Sequence, residues 1–516
     1  MKKWVAAVIA SSMTSVTAAD LLEVFKLARS RDPVYATARA TWAAAQEKIP
    51  QGRALLLPAI SASANTNYND REIAFRNGTS APGRFNSNGY TVALTQPIYR
   101  MQNNIQYSQA QLLALQADMQ LAAASQDLML RVTQAYFDIL LMQDTLELAQ
   151  AQKEVIGHQL AQAKISFDVG AGVSTDVHEA QARYDLVVSQ EVMARNDLLV
   201  KRRALNAIIA MQPETLAPLG PGFKLEEPQP NDVRYWVERG LSNSPQVAAQ
   251  RYALDIAGEE IKRNHYGHYP TLDAVASYGR NNAGSGILGG VGYDITTKVV
   301  GVQVAVPIYQ GGSITSKTRE AAANEGKARE ELETVSRQIA FVVEQAFASV
   351  VSGVEQVQAL RAALSSTEKQ VNATQIGRNE GARSSIDLLN AQQQLFQSRK
   401  DLAQAQYNYL MNRLRLSAAA GEIGEEDLLR VNGMLAAVSS PGNVQTVSLR
   451  VSLPPAATKP APVSVLPAAS VKREARMSDT RIERISGMLL SIELGSRAIG
   501  TTVSRAEPRH AASGVR

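Results

Sequence analysis

The chain repeats itself in order at a distance of about 211 residues. Asp32-Pro33 returns as Ser244-Pro245, Leu57-Pro58 as Tyr269-Pro270, and Pro97-Ile98-Tyr99 as Pro307-Ile308-Tyr309. Gly170 returns as Gly381, Asp176 as Asp387, and Ala180-Gln181 as Ala391-Gln392. Many of the matches fall on prolines and glycines, the residues that set turns and element boundaries. A period this long exceeds that of a solenoid and specifies one structural unit written twice. On this reading residues 20–225 form the first structural repeat and residues 226–436 the second, each with two strands and long helices.

Residues 1–19 read as a signal peptide: Lys2 and Lys3, an apolar run from Trp4 to Ala10, and small residues closing on Thr17-Ala18-Ala19. Export is the expectation, with cleavage after Ala19. No other segment reaches 18 consecutive apolar residues, so any membrane anchoring falls to strands. The chain has no cysteine, which removes disulfides, thiolate ligands and cysteine nucleophiles together. Its net charge of +5 is carried by the ends: residues 450–516 hold 11 Lys/Arg against 5 Asp/Glu, and the body between is slightly negative. Such a body lacks the basic face a nucleic-acid partner needs. Residues 437–516 contain no Phe, Trp or Tyr and are rich in Pro, Ala and Ser, the composition of a disordered basic tail. Within them only Ile485 to Leu494 reads as a short amphipathic helix.

No proline occurs between Pro97 and Pro213, or between Pro307 and Pro441. From Tyr99 to the Gly170-Ala171-Gly172 break this permits roughly 70 residues of helix, about 105 Å, longer than one globular core can enclose. Leu128, Val132, Ala135, Ile139, Met142 and Leu146 step by 4, 3, 4, 3, 4, and Leu332, Val335, Ile339, Val342 and Ala346 by 3, 4, 3, 4. That is the spacing of coiled-coil packing, shared in part with ordinary amphipathic bundles.

Before each long helix stand two segments of about ten residues with period-two alternation. Ile60, Ala62, Ala64, Thr66 and Tyr68 alternate with Ser61, Ser63, Asn65, Asn67 and Asn69, and Tyr90, Val92 and Leu94 with Thr91, Ala93 and Thr95. The second half supplies Leu272, Ala274, Ala276 and Tyr278, then Val300, Val302, Val304 and Val306. Four strands of this length match tilted crossings of an outer membrane, and the Asn/Gly/Ser-rich residues 70–88 and 280–296 read as their outward loops. A membrane sheet must close, and barrels begin at about eight strands, so one chain cannot close alone. Two chains supply eight, three twelve, four sixteen.

The chain resembles the TolC-type outer-membrane efflux and secretion proteins over roughly residues 20–435. The residues that carry the resemblance are Val306-Pro-Ile-Tyr-Gln-Gly-Gly312, Gly267-His-Tyr-Pro-Thr-Leu-Asp273, Phe167-Asp-Val-Gly170 with Thr175-Asp-Val177, and Tyr407-Asn-Tyr-Leu-Met-Asn-Arg-Leu414. The resemblance implies a mainly α protein with a membrane β-barrel. Four barrel strands and very long coiled-coil helices per protomer build a 12-stranded barrel and a helical tunnel in a homotrimer. It implies contact with outer-membrane lipid, and docking of a periplasmic adaptor and an inner-membrane ABC or RND-type transporter.

By position, the resemblance also assigns a pore constriction to Asp387 and Asn390. Gate-closing contacts between the two tip hairpins fall to Thr175, Asp176 and Arg383, with Arg378 where a tyrosine is expected. Only one constriction position is acidic, so a ring of three Asp387 side chains attracts cations, while multivalent cations bind less well than with two carboxylates. Arg378 opposite Asp176 replaces a neutral hydrogen bond by a charge pair and makes the closed state salt-sensitive. Asp387 also fits a capping box with Ser384.

No catalytic constellation or cofactor motif is present, so neither an enzyme nor a cofactor is expected. His265 and His268 have ligand-like spacing without a third ligand; His178, beside Glu179, reads as a solvated helix position. The glycines from Gly284 to Gly292 lack the Lys-Ser/Thr of a phosphate loop. The alternative reading is a periplasmic coiled-coil adaptor or scaffold that never enters a membrane. It does not account for paired strands with one apolar face.

Overall fold

The computed structural model describes residues 19–74, 76, 78, 80–211, 215–220, 224–285 and 291–435. The expected signal segment (Ala19 apart), the basic tail and its short helix lie outside them. In chain order the elements are α1 (Leu21–Arg31), α2 (Pro33–Gln46), α3 (Lys48–Ala54), β1 (Ala59–Ala74), β2 (Ser80–Tyr99), α4 (Met101–Asp168) and α5 (Ser174–Ile209). The second half gives α6 (Val233–Asn243), α7 (Pro245–His265), β3 (Thr271–Ser285), β4 (Val291–Ala305), α8 (Ser313–Asn379), α9 (Ser385–Ala419) and α10 (Glu425–Asn432).

The duplicated boundary residues do equivalent work. Asp32 and Ser244 are the N-caps of α2 and α7, each followed by proline at the first helical position, where its missing N–H is no loss. Gly170 and Gly381 turn the chain at the ends of α4 and α8 with φ of +75° and +77°, a backbone region that costs glycine nothing. Between these punctuation points α4 runs 68 residues and α8 67, about 100 Å each.

The coiled-coil stripes form the core. Leu128, Val132 and Ile139 on α4 are buried together with Ile339, Val343, Val350 and Val357 on α8 and Tyr409, Leu410 and Leu414 on α9. Leu21, Phe25 and Ala28 of α1 and Leu428 and Val431 of α10 complete it. Buried hydroxyls are partnered: Tyr136 donates to the Ala217 carbonyl at 2.9 Å, and Tyr409 donates to the Glu226 carbonyl at 2.8 Å. This removes the desolvation penalty that would otherwise offset their packing.

The four strands form one antiparallel sheet in the order β1-β2-β3-β4. Register places Ile60, Leu94, Ala276 and Val300 in one row across the sheet, with Ala62, Val92 and Tyr278 in the next. These rows make a mainly apolar face on which Val300 is 89% exposed; Lys298 ends the second row on β4, its ammonium over the Tyr278 ring. The opposite face aligns Ser63, Thr91, Gly279 and Thr297, then Asn65, Gly89 and Asn281. Arg100, at the junction of β2 and α4, holds Asp273 of β3 through Nε at 2.8 Å and Nη2 at 2.5 Å, fastening the first half's strand-to-helix corner to the second half's sheet.

The strands are longer than the alternation suggested. β1 pairs with β2 out to Ala74 and Ser80, and β3 with β4 out to Ser285 and Val291, so much of residues 70–88 and 280–296 is strand rather than loop. The reason is environmental. Beyond an apolar band both faces of a sheet can be polar, and ladder hydrogen bonds continue where side-chain alternation stops.

Candidate gate at the hairpin tips

The two long hairpins, α4/α5 and α8/α9, end in equivalent turns. After α4 the Ala171 N–H donates to the Ser166 carbonyl at 2.9 Å, and after α8 the Ala382 N–H donates to the Gly377 carbonyl at 2.8 Å. Both satisfy last-turn carbonyls that the helix leaves unpaired. The following helices start differently. Val173 caps α5 without a side-chain bond, whereas Ser384 and Asp387 form a full capping box on α9. The Asp387 N–H donates to Ser384 Oγ, and the Ser384 N–H donates to Asp387 Oδ2, both at 3.1 Å. Those bonds, with the Arg383 cation nearby, hold the Asp387 carboxyl below the usual carboxylate range.

The six residues singled out in sequence all lie at this end of the hairpins. Thr175 and Asp176 sit in the first turn of α5, and Arg378 in the last turn of α8. Arg383 folds back over Gly377, whose Cβ position would lie 2.9 Å from Arg383 Cγ. Among the described residues no hydrogen bond or ion pair joins Thr175 or Asp176 to Arg378 or Arg383 within one chain.

Asn390, exposed on α9, accepts from Arg183 Nη2 of α5 at 2.8 Å, and Arg183 Nη1 donates to Gln393 Oε1. Gln159 of α4 donates to Gln392 of α9 at 2.5 Å, and Ile156, Val187 and Leu389 pack beside them against Tyr184. Arg183 was missed in sequence. Its signal was its place in the α5 stripe, between buried Ala180 and buried Val187, where an arginine must find a partner. Away from the tips, His265 and His268 lie in ring contact with each other, and His265 also with Tyr266 and Tyr269.

An antiparallel sheet with one exposed apolar face, continued by helices of about 100 Å, defines a channel subunit that enters a membrane by strands and reaches far out of it by helices. The sequence profile of the outer membrane efflux protein family matches residues 24–210 and again residues 236–422. The chain belongs to that family. It is 31% identical over 434 residues to the outer membrane protein TolC of Vibrio cholerae, covering 84% of this chain and 97% of that one. With the alkaline protease secretion protein AprF of Pseudomonas aeruginosa it shares 32% identity over 413 residues, 79% of this chain and 85% of that one. Its fold is that of the Campylobacter jejuni CmeC outer membrane channel, with a TM-score of 0.68 at 17% identity, covering 81% of this chain and 90% of that one.

The protein is therefore an outer-membrane efflux or secretion channel that extends into the periplasm. The periplasmic adaptor reading is not favoured. The family's members are channels, and its relatives are components of secretion and efflux systems.

Proposed function

We propose that three copies of the chain close a 12-stranded barrel through the free edges of β1 and β4, and that their hairpins continue it as a tunnel. Residues 20–225 and 226–436 are the two structural repeats that each protomer contributes. The observation that carries this reading is the open four-stranded sheet itself. Its apolar rows belong in lipid, yet β1 and β4 each have a single strand partner among the described residues, and unpaired backbone groups do not persist in hydrocarbon.

At the hairpin tips three Asp387 side chains form the constriction; like any exposed aspartate they are ionised at neutral pH, and the Ser384 N–H bond to each carboxylate holds their pKa lower still. Asn390 contributes no charge. Thr175, Asp176, Arg378 and Arg383 act between protomers, where the tips of neighbouring copies meet. An inner-membrane transporter of the ABC or RND type, with its periplasmic adaptor, docks at this end and selects the cargo. The names of the relatives span protease secretion and efflux, which a passive duct serves alike.

Single-channel recording of the purified protein in a planar bilayer tests this. Cation-preferring steps whose preference falls in Asp387→Asn are expected. A preference unchanged by that substitution would remove Asp387 from the constriction, and a protein that never conducts would overturn the three-copy barrel reading.

A further inference from the structure

Nearest the tips, the direct polar links between the two hairpins of one chain lie not in the turns but about one and a half to two and a half helical turns into α5 and α9, where Arg183 makes two of them. Its guanidinium donates from Nη2 to Asn390 Oδ1 at 2.8 Å and from Nη1 to Gln393 Oε1. Glu179, on its own helix, stands 3.9 Å from Nη2, too far to compete as a hydrogen-bond acceptor. The Arg183 side chain is 28% exposed, so water competes for it only from one side. Both acceptors are neutral amides separated by three residues on α9. They stand on adjacent turns of one helix face, and a planar fork reaches both where a single ammonium reaches one.

By the internal duplication, the equivalent positions elsewhere in the chain do not carry the residues of this contact. The offset that carries Asp176 to Asp387 and Ala180 to Ala391 carries Arg183 to Gln394. The partners Asn390 and Gln393 correspond to Glu179 and Ala182. A pseudo-equivalent contact in a neighbouring seam would place Gln394, a neutral amide, where Arg183 stands, against Glu179 and Ala182, without the guanidinium fork and with one acceptor fewer.

We propose that Arg183 is the intrachain clasp of the gate: it holds the two hairpins of each protomer together, and its bonds to Asn390 and Gln393 must break before one hairpin swings from the other. Asn390 is then a clasp residue first and a lining residue second. Opening that keeps the clasp moves each protomer's hairpins as a pair and parts the seams between protomers. Opening of the intrachain seam requires release of Arg183. This role rests on the tunnel reading above. Arg183 is a positioning residue, and the permeating ion need never touch it.

The test is single-channel recording of the full chain as Arg183→Gln, Arg183→Lys and Arg183→Gln/Asn390→Ala/Gln393→Ala, each checked for intact assembly on native gels. Charge-assisted bonds of this kind predict a roughly tenfold rise in open probability for Arg183→Gln. An intermediate value is expected for Arg183→Lys, which keeps the charge without the fork. No further rise should follow when the acceptors are removed as well.

Because the chain has no cysteine, a cysteine pair at positions 183 and 390 can be bridged by a reducible bis-thiol reagent without side products. Bridging should hold conductance at its lowest level and reductant should restore it. Open probability unchanged in Arg183→Gln, or a bridged channel that gates like the unbridged one, would overturn the clasp while leaving the channel intact. Absence of current from the unmodified protein would instead overturn the tunnel reading, and the clasp with it.

Discussion

Asp144, on α4, is a carboxyl enclosed by the helical core. Tyr407 of α9 donates to its Oδ2 at 2.8 Å, and the Tyr407 ring lies 5.7 Å from that of Phe137. Burial pushes the Asp144 pKa up to about 6, with the Glu147 charge adding to the rise and the Tyr407 bond opposing it. The unfolded chain releases this proton near 3.9. Between those values the native state binds more protons than the unfolded state, so stability falls as pH rises through the window. The contribution is fully present below the unfolded pKa and is lost as pH rises through about 6, a fall of about 3 kcal/mol across the window. Asp144→Asn keeps an acceptor for Tyr407 and removes the charge. Its unfolding midpoint should exceed that of the unmodified assembly at pH 8 and approach it at pH 4.5, measured at equal protein and detergent concentrations. An equal difference at both pH values would show that Asp144 is not the titrating group.

Helices and their boundaries were legible in sequence because their determinants are local. Prolines at the first turns of α2 and α7, glycines at the ends of α4 and α8, and 3-4 spacing along the stripes each act within one or two turns. The Ser384–Asp387 box belongs to the same class, and it makes a prediction for its helix. Ser384→Ala removes the acceptor of the Asp387 N–H, costs about 1 kcal/mol, and should speed amide hydrogen exchange in the first turn of α9. The first turn of α5, already without a side-chain cap, should be unaffected. Features fixed by partners at a distance were less legible. The outer halves of β1 to β4 read as loops because only the ladder, not the side-chain pattern, marks them as strand. The Arg183–Asn390 bond spans 207 positions, and no local pattern in one sequence names the acceptor an arginine will find.

For the whole molecule the decisive question is which face of the sheet meets lipid. Row by row, Val300, Val302 and Val304 share the face of Ile60, Leu94 and Ala276, while Gly301 and Gln303 share that of Ser61, Ser277 and Asp273. Neighbours on β4 therefore report opposite environments. Val302→Arg places a cation in the apolar band, a change of about 2–4 kcal/mol per chain near a bilayer midplane. Closure by three copies would multiply that penalty over the assembly. The assembled oligomer should be depleted on non-denaturing gels and the protein lost from the membrane fraction. Gln303→Arg, one residue away, lies on the opposite face, which lines the lumen of the proposed barrel, and should assemble normally. Its added ring of positive charge should shift the reversal potential toward anions, against the pull of the proposed Asp387 ring at the far end. Should Gln303→Arg abolish assembly while Val302→Arg conducts, the two faces would have to be exchanged. Equal loss in both would place β4 in a contact buried on both sides, and the edge that closes the barrel would have to be sought elsewhere.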